Sequence, residues 1–185
     1  MVTSCFLSLS WEGIMPAPNP QDPLDDPISR FVAAVNEFLA IKADVDPLPR
    51  QPRTQNPIDD LMRNWEEFKR HLRRCYEAMV GAQPEVAQRL EQIISVGNEI
   101  KALTDDPNIV SPVDGVVMRA IDERAEIGNF IPRLANATSF PTVMSMIGEL
   151  AGVGKRTVTR RKEIAAKLND LTAYFLLRPP PRESA

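Results

Sequence analysis

The sequence has few of the residues on which most metal, redox and catalytic sites depend. Its 185 residues include one histidine, His71, and two cysteines, Cys5 and Cys75, and only 6% are aromatic. A single histidine cannot form a helix-borne zinc pair, and two cysteines so far apart give neither a zinc-ligand spacing nor a disulfide framework. We therefore expect no metal, no cofactor and a reducing intracellular environment, either cytoplasmic or in the nucleus or nucleoid.

Long apolar runs are also missing. No stretch of the sequence approaches the roughly 20 apolar residues that cross a bilayer, so no membrane span is predicted. The short apolar patch from Cys5 to Trp11 has no basic residues before it and no small-residue cleavage site after it, so we do not expect secretion. Met15 is an alternative start, which leaves open whether residues 1–14 belong to the functional chain.

Common enzyme motifs are absent from the sequence. There is no GxSxG element, and the run Gly152-Val153-Gly154-Lys155 lacks the upstream glycine that a phosphate-binding loop needs. His71 lies in the charged run from Lys69 to Arg74, which is typical of a solvated helix face. The sequence therefore predicts a protein without catalytic activity and without catalytic residues.

What the sequence does contain is apolar residues spaced at alternating intervals of three and four. With 43% apolar residues and only 8 glycines, this pattern predicts an all-α fold. We expect a bundle of about four helices over residues 26–138 and a two-helix, helix-turn-helix-like element over 139–177. Residues 1–25 and the proline-rich segment 178–185 are predicted to be flexible.

Several of the 17 prolines stand where a helix would begin. Proline at the first helical position loses no intrahelical hydrogen bond, because the first amide groups of a helix have no partner within it. Helix starts are therefore predicted at Pro27, Pro57, Pro84 and Pro112. Pro132 is expected to bend or interrupt the fourth of these helices.

The second predicted helix carries the most regular apolar seam. Its members alternate at steps of three and four, with Cys75 also on the line. The seam residues are Ile58, Leu61, Trp65, Phe68, Leu72 and Met79. Such a seam is typical of the interior of a bundle, which is the favoured interpretation. The alternative is a surface for a helical partner protein or for self-association.

The run SMIGELAGVGKRTVTR, from Ser145 to Arg160, predicts a helix, a turn at residues 152–154 and a second helix that opens with two cations. It resembles the helix-turn-helix of the lactose-repressor family, whose run is close to AELAGVSxxTVSR. The resemblance implies that Gly152 forms the turn. It also implies nucleic-acid contacts, principally with DNA, from Lys155, Arg156, Thr157, Thr159 and Arg160. Where that family has an apolar residue three positions after Val158, this chain has Arg161.

Two functions follow from these patterns. The first is a non-enzymatic helical protein that associates through its bundle and contacts DNA, with RNA not excluded, through the basic C-terminal element. The second is a structural or adaptor helical bundle that binds proteins and has no nucleic-acid role. In the second case residues 151–154 would be an ordinary tight turn, and the cations after it would lie on a solvated face.

Overall fold

The computed structural model describes residues 23–41, 65–80 and 83–177, and these ranges contain helices and no strands. The helices are α1 (Asp25–Ala40), α2 (Trp65–Val80), α3 (Gln83–Leu103), α4 (Pro107–Ala135) and α5 (Phe140–Leu177). The prediction of an all-α helical bundle is confirmed. Residues 1–22 and 178–185, most of the predicted flexible ends, lie outside the described residues.

Helix α4 lies at the centre of the bundle, between α3 and α5. Two ion pairs fix its direction relative to α3, because Glu91 meets Arg124 whereas Lys101, further along α3, meets Asp114, nearer the start of α4. The two helices are therefore antiparallel. Helix α1 packs on α3, and α2 packs mainly on α5.

A single apolar core joins all five described helices. Its largest fully buried side chains are Tyr76, Phe31, Phe38, Ile28, Leu72, Leu90, Ile93, Ile100, Ile109, Met146, Leu150 and Ile164. The Tyr76 ring of α2 stacks on Phe130 of α4 with centroids 4.3 Å apart. No helix in the described part of the chain is long and apolar enough to cross a membrane.

The seam predicted in the second helix packs inside the bundle over the part that the structure describes. Leu72 and Met79 are buried, and Trp65 and Phe68 are half-buried against the core. Ile58 and Leu61 lie outside the described residues. The four described members therefore serve the core of this chain, as the favoured interpretation had it, and they do not form an open partner surface.

The start of α4 differs from the prediction, because the helix begins at Pro107 and not at Pro112. Asp106 caps it, since its Oδ1 accepts a hydrogen bond from the Asn108 backbone N–H at 2.9 Å. Pro107 then takes the first helical position, and Pro112 follows within the second turn. Pro132 does not interrupt the helix either, which continues to Ala135.

The predicted turn at residues 152–154 is wrong, because Phe140–Leu177 is one continuous helix of 38 residues. A buried face runs along its length without a break: Val143, Met146, Leu150, Val153, Thr157, Arg161, Ile164, Leu168 and Leu171. Burial of this face outweighs the helix penalty of about 1 kcal/mol for each glycine. A Cβ atom at Gly152 would stand 2.6 Å from Arg156 Nη1, so the absence of a side chain at Gly152 leaves space for the Arg156 guanidinium. Residues 139–177 therefore do not form a helical hairpin.

Gly97 marks the closest approach between α3 and its neighbours. A Cβ atom there would overlap Val117 Cγ2 of α4 and lie 3.0 Å from Phe31 Cε2 of α1. Both neighbours are buried and leave little freedom to shift. The absence of a side chain at this position is what allows α1, α3 and α4 to meet.

We expect Gly97→Ala to lower the free energy of unfolding by about 1–3 kcal/mol, because overpacking costs more than the gain in helix propensity. The matched control is Gly128→Ala in α4, where a Cβ meets nothing within 4 Å. That change should raise stability by about 0.5–1 kcal/mol. Urea unfolding followed by circular dichroism measures both, and a stabilised Gly97→Ala protein would contradict the close approach.

Candidate functional site

A cluster of charged and polar side chains lies between α4 and α5, where the sequence predicted a nucleic-acid surface. Glu123 and Glu126 come from α4, one turn apart, and Arg156, Thr157 and Arg160 come from α5. Glu123 Oε1 accepts a hydrogen bond from Thr157 Oγ1 at 3.1 Å, and its Oε2 accepts one from Arg160 Nη1 at 2.7 Å. Both oxygens of this carboxylate are therefore bonded to α5.

Burial makes these bonds important. Glu123 is 1% exposed and Thr157 is fully buried. A carboxylate removed from water is stable only where donors replace the lost hydration. The Arg160 guanidinium and the Thr157 hydroxyl replace it, so Glu123 ties α4 to α5 by charge as well as by packing.

Glu126 extends the cluster toward the surface. Its Oε1 accepts from Arg156 Nε at 3.0 Å and Nη2 at 2.6 Å, and its Oε2 also contacts Arg160. Burial alone would raise the pKa of Glu126, but the hydrogen bonds from Arg156 and Arg160 outweigh it and hold this pKa below its ordinary value. Glu126 is therefore held in its ionised form.

Helix α2 also reaches this cluster. The Tyr76 hydroxyl donates to the backbone carbonyl of Glu126 at 3.2 Å. Burial, together with the negative charges of Glu126 and Glu123, raises the pKa of Tyr76. The phenol is therefore held neutral and serves as a donor that fixes α2 against α4.

Arg161 points to the other side of α5 and joins two helix ends. Its guanidinium donates to the carbonyl of Val80, the last residue of α2, at 3.0 Å, and to the carbonyl of Ile41, just after α1. It also lies 4.9 Å from the centre of the Phe38 ring. The last carbonyls of a helix lack partners within it and carry partial negative charge, so one buried cation completes both ends. Burial lowers the pKa of Arg161, and the charge of Glu123 opposes this shift.

A row of ion pairs continues along the same edge of α4 and α5. Arg119 pairs with Glu163, Glu126 with Arg156, and Arg133 with Glu149. On each helix these positions are seven residues apart, and they run in opposite directions, so the two helices are antiparallel with one constant register. We call this row the α4–α5 ladder. Arg133 binds Glu149 through two nitrogen–oxygen contacts of 2.9 and 2.7 Å, which lowers the pKa of Glu149.

The structure does not present the five predicted nucleic-acid residues as one open surface. Thr157 is buried, and Arg156 and Arg160 are bonded to the carboxylates of α4. Lys155 and Thr159 are exposed, with Thr159 Oγ1 donating to the carbonyl of Lys155. The physical reason is the continuous helix, because without a turn the side chains that follow residue 154 alternate between the core, α4 and solvent.

Glu123, Glu126 and Arg161 are the site residues that sequence reasoning missed. For Glu126 the sequence does carry a signal, which concerns the pairing of α4 with α5. Arg119, Glu126 and Arg133 of α4 alternate in sign at seven-residue steps. Glu149, Arg156 and Glu163 alternate in the opposite sense at the same steps. Such complementary patterns favour an antiparallel helix pair. For Arg161 the signal was its place three positions after Val158, where the resembled family has an apolar residue, whereas Lys162 beside it is exposed.

The chemistry of the cluster fits a structural role, which is to hold α4 against α5. Its carboxylates are neutralised by guanidinium groups, and no group of three or more histidine, cysteine or acidic residues that could hold a metal occurs among the described residues. His71 lies exposed with its Nε2 3.8 Å from Cys75 Sγ, one turn away.

No protein-family model, curated protein or solved structure matches this chain.

We expect Glu123→Ala to lower the free energy of unfolding by about 1–3 kcal/mol, because the buried Thr157 hydroxyl loses its acceptor and Arg160 is left with Glu126 as its remaining carboxylate. The matched control is Glu91→Ala, which removes the exposed pair with Arg124 between α3 and α4. Exposed pairs contribute little, so this loss should be much smaller. Urea unfolding compares the two variants, and equal losses would show that the buried carboxylate has no special role.

Acid should unfold the protein partly through Glu126 and Glu149. Both have pKa values below the ordinary 4.5 in the folded state. Their stabilising contribution is present above pH 4.5 and is lost as the pH falls through the lower folded values. Thermal melts over this range should show a steep loss in the wild-type chain and a shallower one in Glu126→Gln. Identical profiles would contradict a role for this carboxylate.

Proposed function

We propose that this chain is a non-enzymatic structural or adaptor protein, a helical bundle that acts by binding other proteins. The observation that carries the proposal is the use of Arg156, Thr157 and Arg160 inside the fold. These are three of the five side chains with which the alternative function would contact nucleic acid. Their donors are bound to Glu123 and Glu126, so phosphate would have to displace carboxylates that are already in place.

The exposed surface also supports protein contacts. Met118 and Ile121 lie on α4 at 51% and 42% exposure, and Met144 lies on α5 at 43%. Exposed large apolar side chains are typical of protein interaction surfaces when they lie close together, as Met118 and Ile121 do at successive turns of α4. Phosphate-binding surfaces instead depend on accessible arginine and lysine.

Nucleic-acid contact is the second candidate function. It draws on Lys155 and Thr159, which remain exposed near the middle of α5, with the exposed Lys162 one further turn along. Two lysines and one hydroxyl would give a weak, sequence-independent contact with phosphates that falls steeply with salt. This candidate therefore makes a different prediction from protein binding.

The experiment is affinity purification of the tagged full chain from its native cells, with and without nuclease, followed by quantitative mass spectrometry. We expect a set of proteins that co-purifies equally in both samples, because the contacts do not depend on nucleic acid. Partners that disappear with nuclease would favour the second candidate, and the absence of any enriched protein would contradict the proposal.

A direct assay accompanies it. Fluorescence anisotropy with random-sequence duplex DNA and single-stranded RNA should show no binding at about 0.15 M salt. Binding at this salt that is lost in the folded variant Lys155→Glu/Lys162→Glu would overturn the proposal in favour of nucleic-acid contact. The variant changes exposed residues only, so its fold should survive.

A further inference from the structure

Two lysines of helix α5 differ from its other charged side chains. Lys155 and Lys162 are exposed and form no ion pair with any residue in the described ranges. The other charged side chains of α5 are engaged. Four of them meet α4, Lys167 pairs with Asp170, and Arg161 is bound to helix ends. The charge of α5 that has no partner within the described residues is therefore confined to one place and has one sign.

The two lysines lie on the same side of α5. They are seven residues apart, which is two helical turns or about 10.5 Å. Asn169, seven residues after Lys162, is exposed and polar on that side. The small or apolar exposed residues there are Met144, Gly148, Ala151, Thr159, Ala166, Ala173 and Leu176. We call these residues with the two lysines the outer face of α5. A Cβ atom at Gly148 would meet nothing within 4 Å, so the bundle itself does not require a glycine there.

The α4–α5 ladder shows what pairs with such a face. On its inner edge α5 binds another helix through charges at seven-residue steps, and each charge meets its opposite on the partner helix. The outer face has cations at one such step, from Lys155 to Lys162, with Gly148 and Asn169 at the seven-residue positions before and after them. Its complement is a helix that presents carboxylates at the same step, since two antiparallel or parallel helices keep this spacing along their contact.

Other occupants fit the outer face less well. A second copy placed about a two-fold axis between the lysines would bring Lys155 and Lys162 against the same two cations, which repel. Nucleic acid would gain two phosphate contacts but would leave Met144, Ala151 and Leu176 against a polar backbone. An acidic helix with small or apolar residues between its carboxylates satisfies both the charges and the intervening surface.

We propose that the outer face of α5 is a docking surface for an acidic amphipathic α-helix of a partner protein. Two carboxylates of that helix, seven residues apart, pair with Lys155 and Lys162, and its small or apolar side chains pack between and beyond them. The inference rests on the proposed function as a protein-binding bundle, and it names the surface and the chemistry of the partner.

The test uses the full chain and a designed helical peptide with glutamates seven residues apart on an alanine- and leucine-lined face. Fluorescence anisotropy should show binding that weakens with salt. Lys155→Glu/Lys162→Glu should weaken it by about tenfold or more. The matched control Arg70→Glu/Arg74→Glu reverses two exposed cations on α2 and should leave the affinity unchanged. A peptide with lysines in place of the glutamates should bind the α5 variant and restore the affinity.

Each other outcome overturns the inference. No binding of the acidic peptide, or an equal loss in the α5 and α2 variants, would exclude a specific site on the outer face. Failure of the lysine peptide to rescue would show that charge pairing is not the basis of binding. If nuclease-resistant partners co-purify equally with wild type and the α5 variant, this surface is wrong and the proposed function stands. If no such partners exist, the proposed function itself fails.

Discussion

The fold depends on two buried charged side chains, Glu123 and Arg161, which are stable only where hydrogen-bond partners replace water. Glu123 lies inside the bundle at 1% exposure, and its two oxygens accept hydrogen bonds that only α5 supplies. Arg161, one residue beyond Arg160, carries its charge to the ends of α1 and α2. Apolar side chains tolerate many arrangements of similar volume, whereas a buried carboxylate or guanidinium is stable only where its particular donors or acceptors are. The four helices that meet at these residues are thereby fixed in position relative to one another.

The sequence predicted the class of the fold and most of its helices because both follow from local spacing. Apolar residues at steps of three and four, with prolines at helix starts, identified the all-α bundle and placed the beginning of α3 within one residue of Pro84. The errors arose where glycine and proline suggested a break. Gly152 and Gly154 lie inside α5, and Pro112 and Pro132 inside α4, because long-range burial on both sides of each residue outweighs a local cost of a few kcal/mol.

The candidate site was less predictable for a physical reason. The basic run after residue 154 was visible in the sequence, but the fate of each cation depends on its angle around the helix. Consecutive residues differ by about 100°, so Arg160 meets Glu123, Arg161 enters the core and Lys162 faces solvent. If a turn is assumed at Gly152, the direction of every later side chain around the helix changes. The predicted environment of each of these side chains then depends on whether that turn exists. With the helix continuous, the alternating charges at seven-residue steps would have identified the partners of Arg156.

The α4–α5 ladder also determines which alternative pairings the chain avoids. If α5 slid along α4 by seven residues, the apolar faces would still match, since that step preserves the side of the helix that faces the core. A slide in one direction would bring Arg119 opposite Arg156 and Glu126 opposite Glu149, so two of the three ladder contacts would join like charges. Because the signs alternate, a slide by seven residues in either direction places like charges together at two ladder positions, which disfavours these alignments of two helices of 29 and 38 residues. The ladder thus contributes to the uniqueness of the native state more than to its stability.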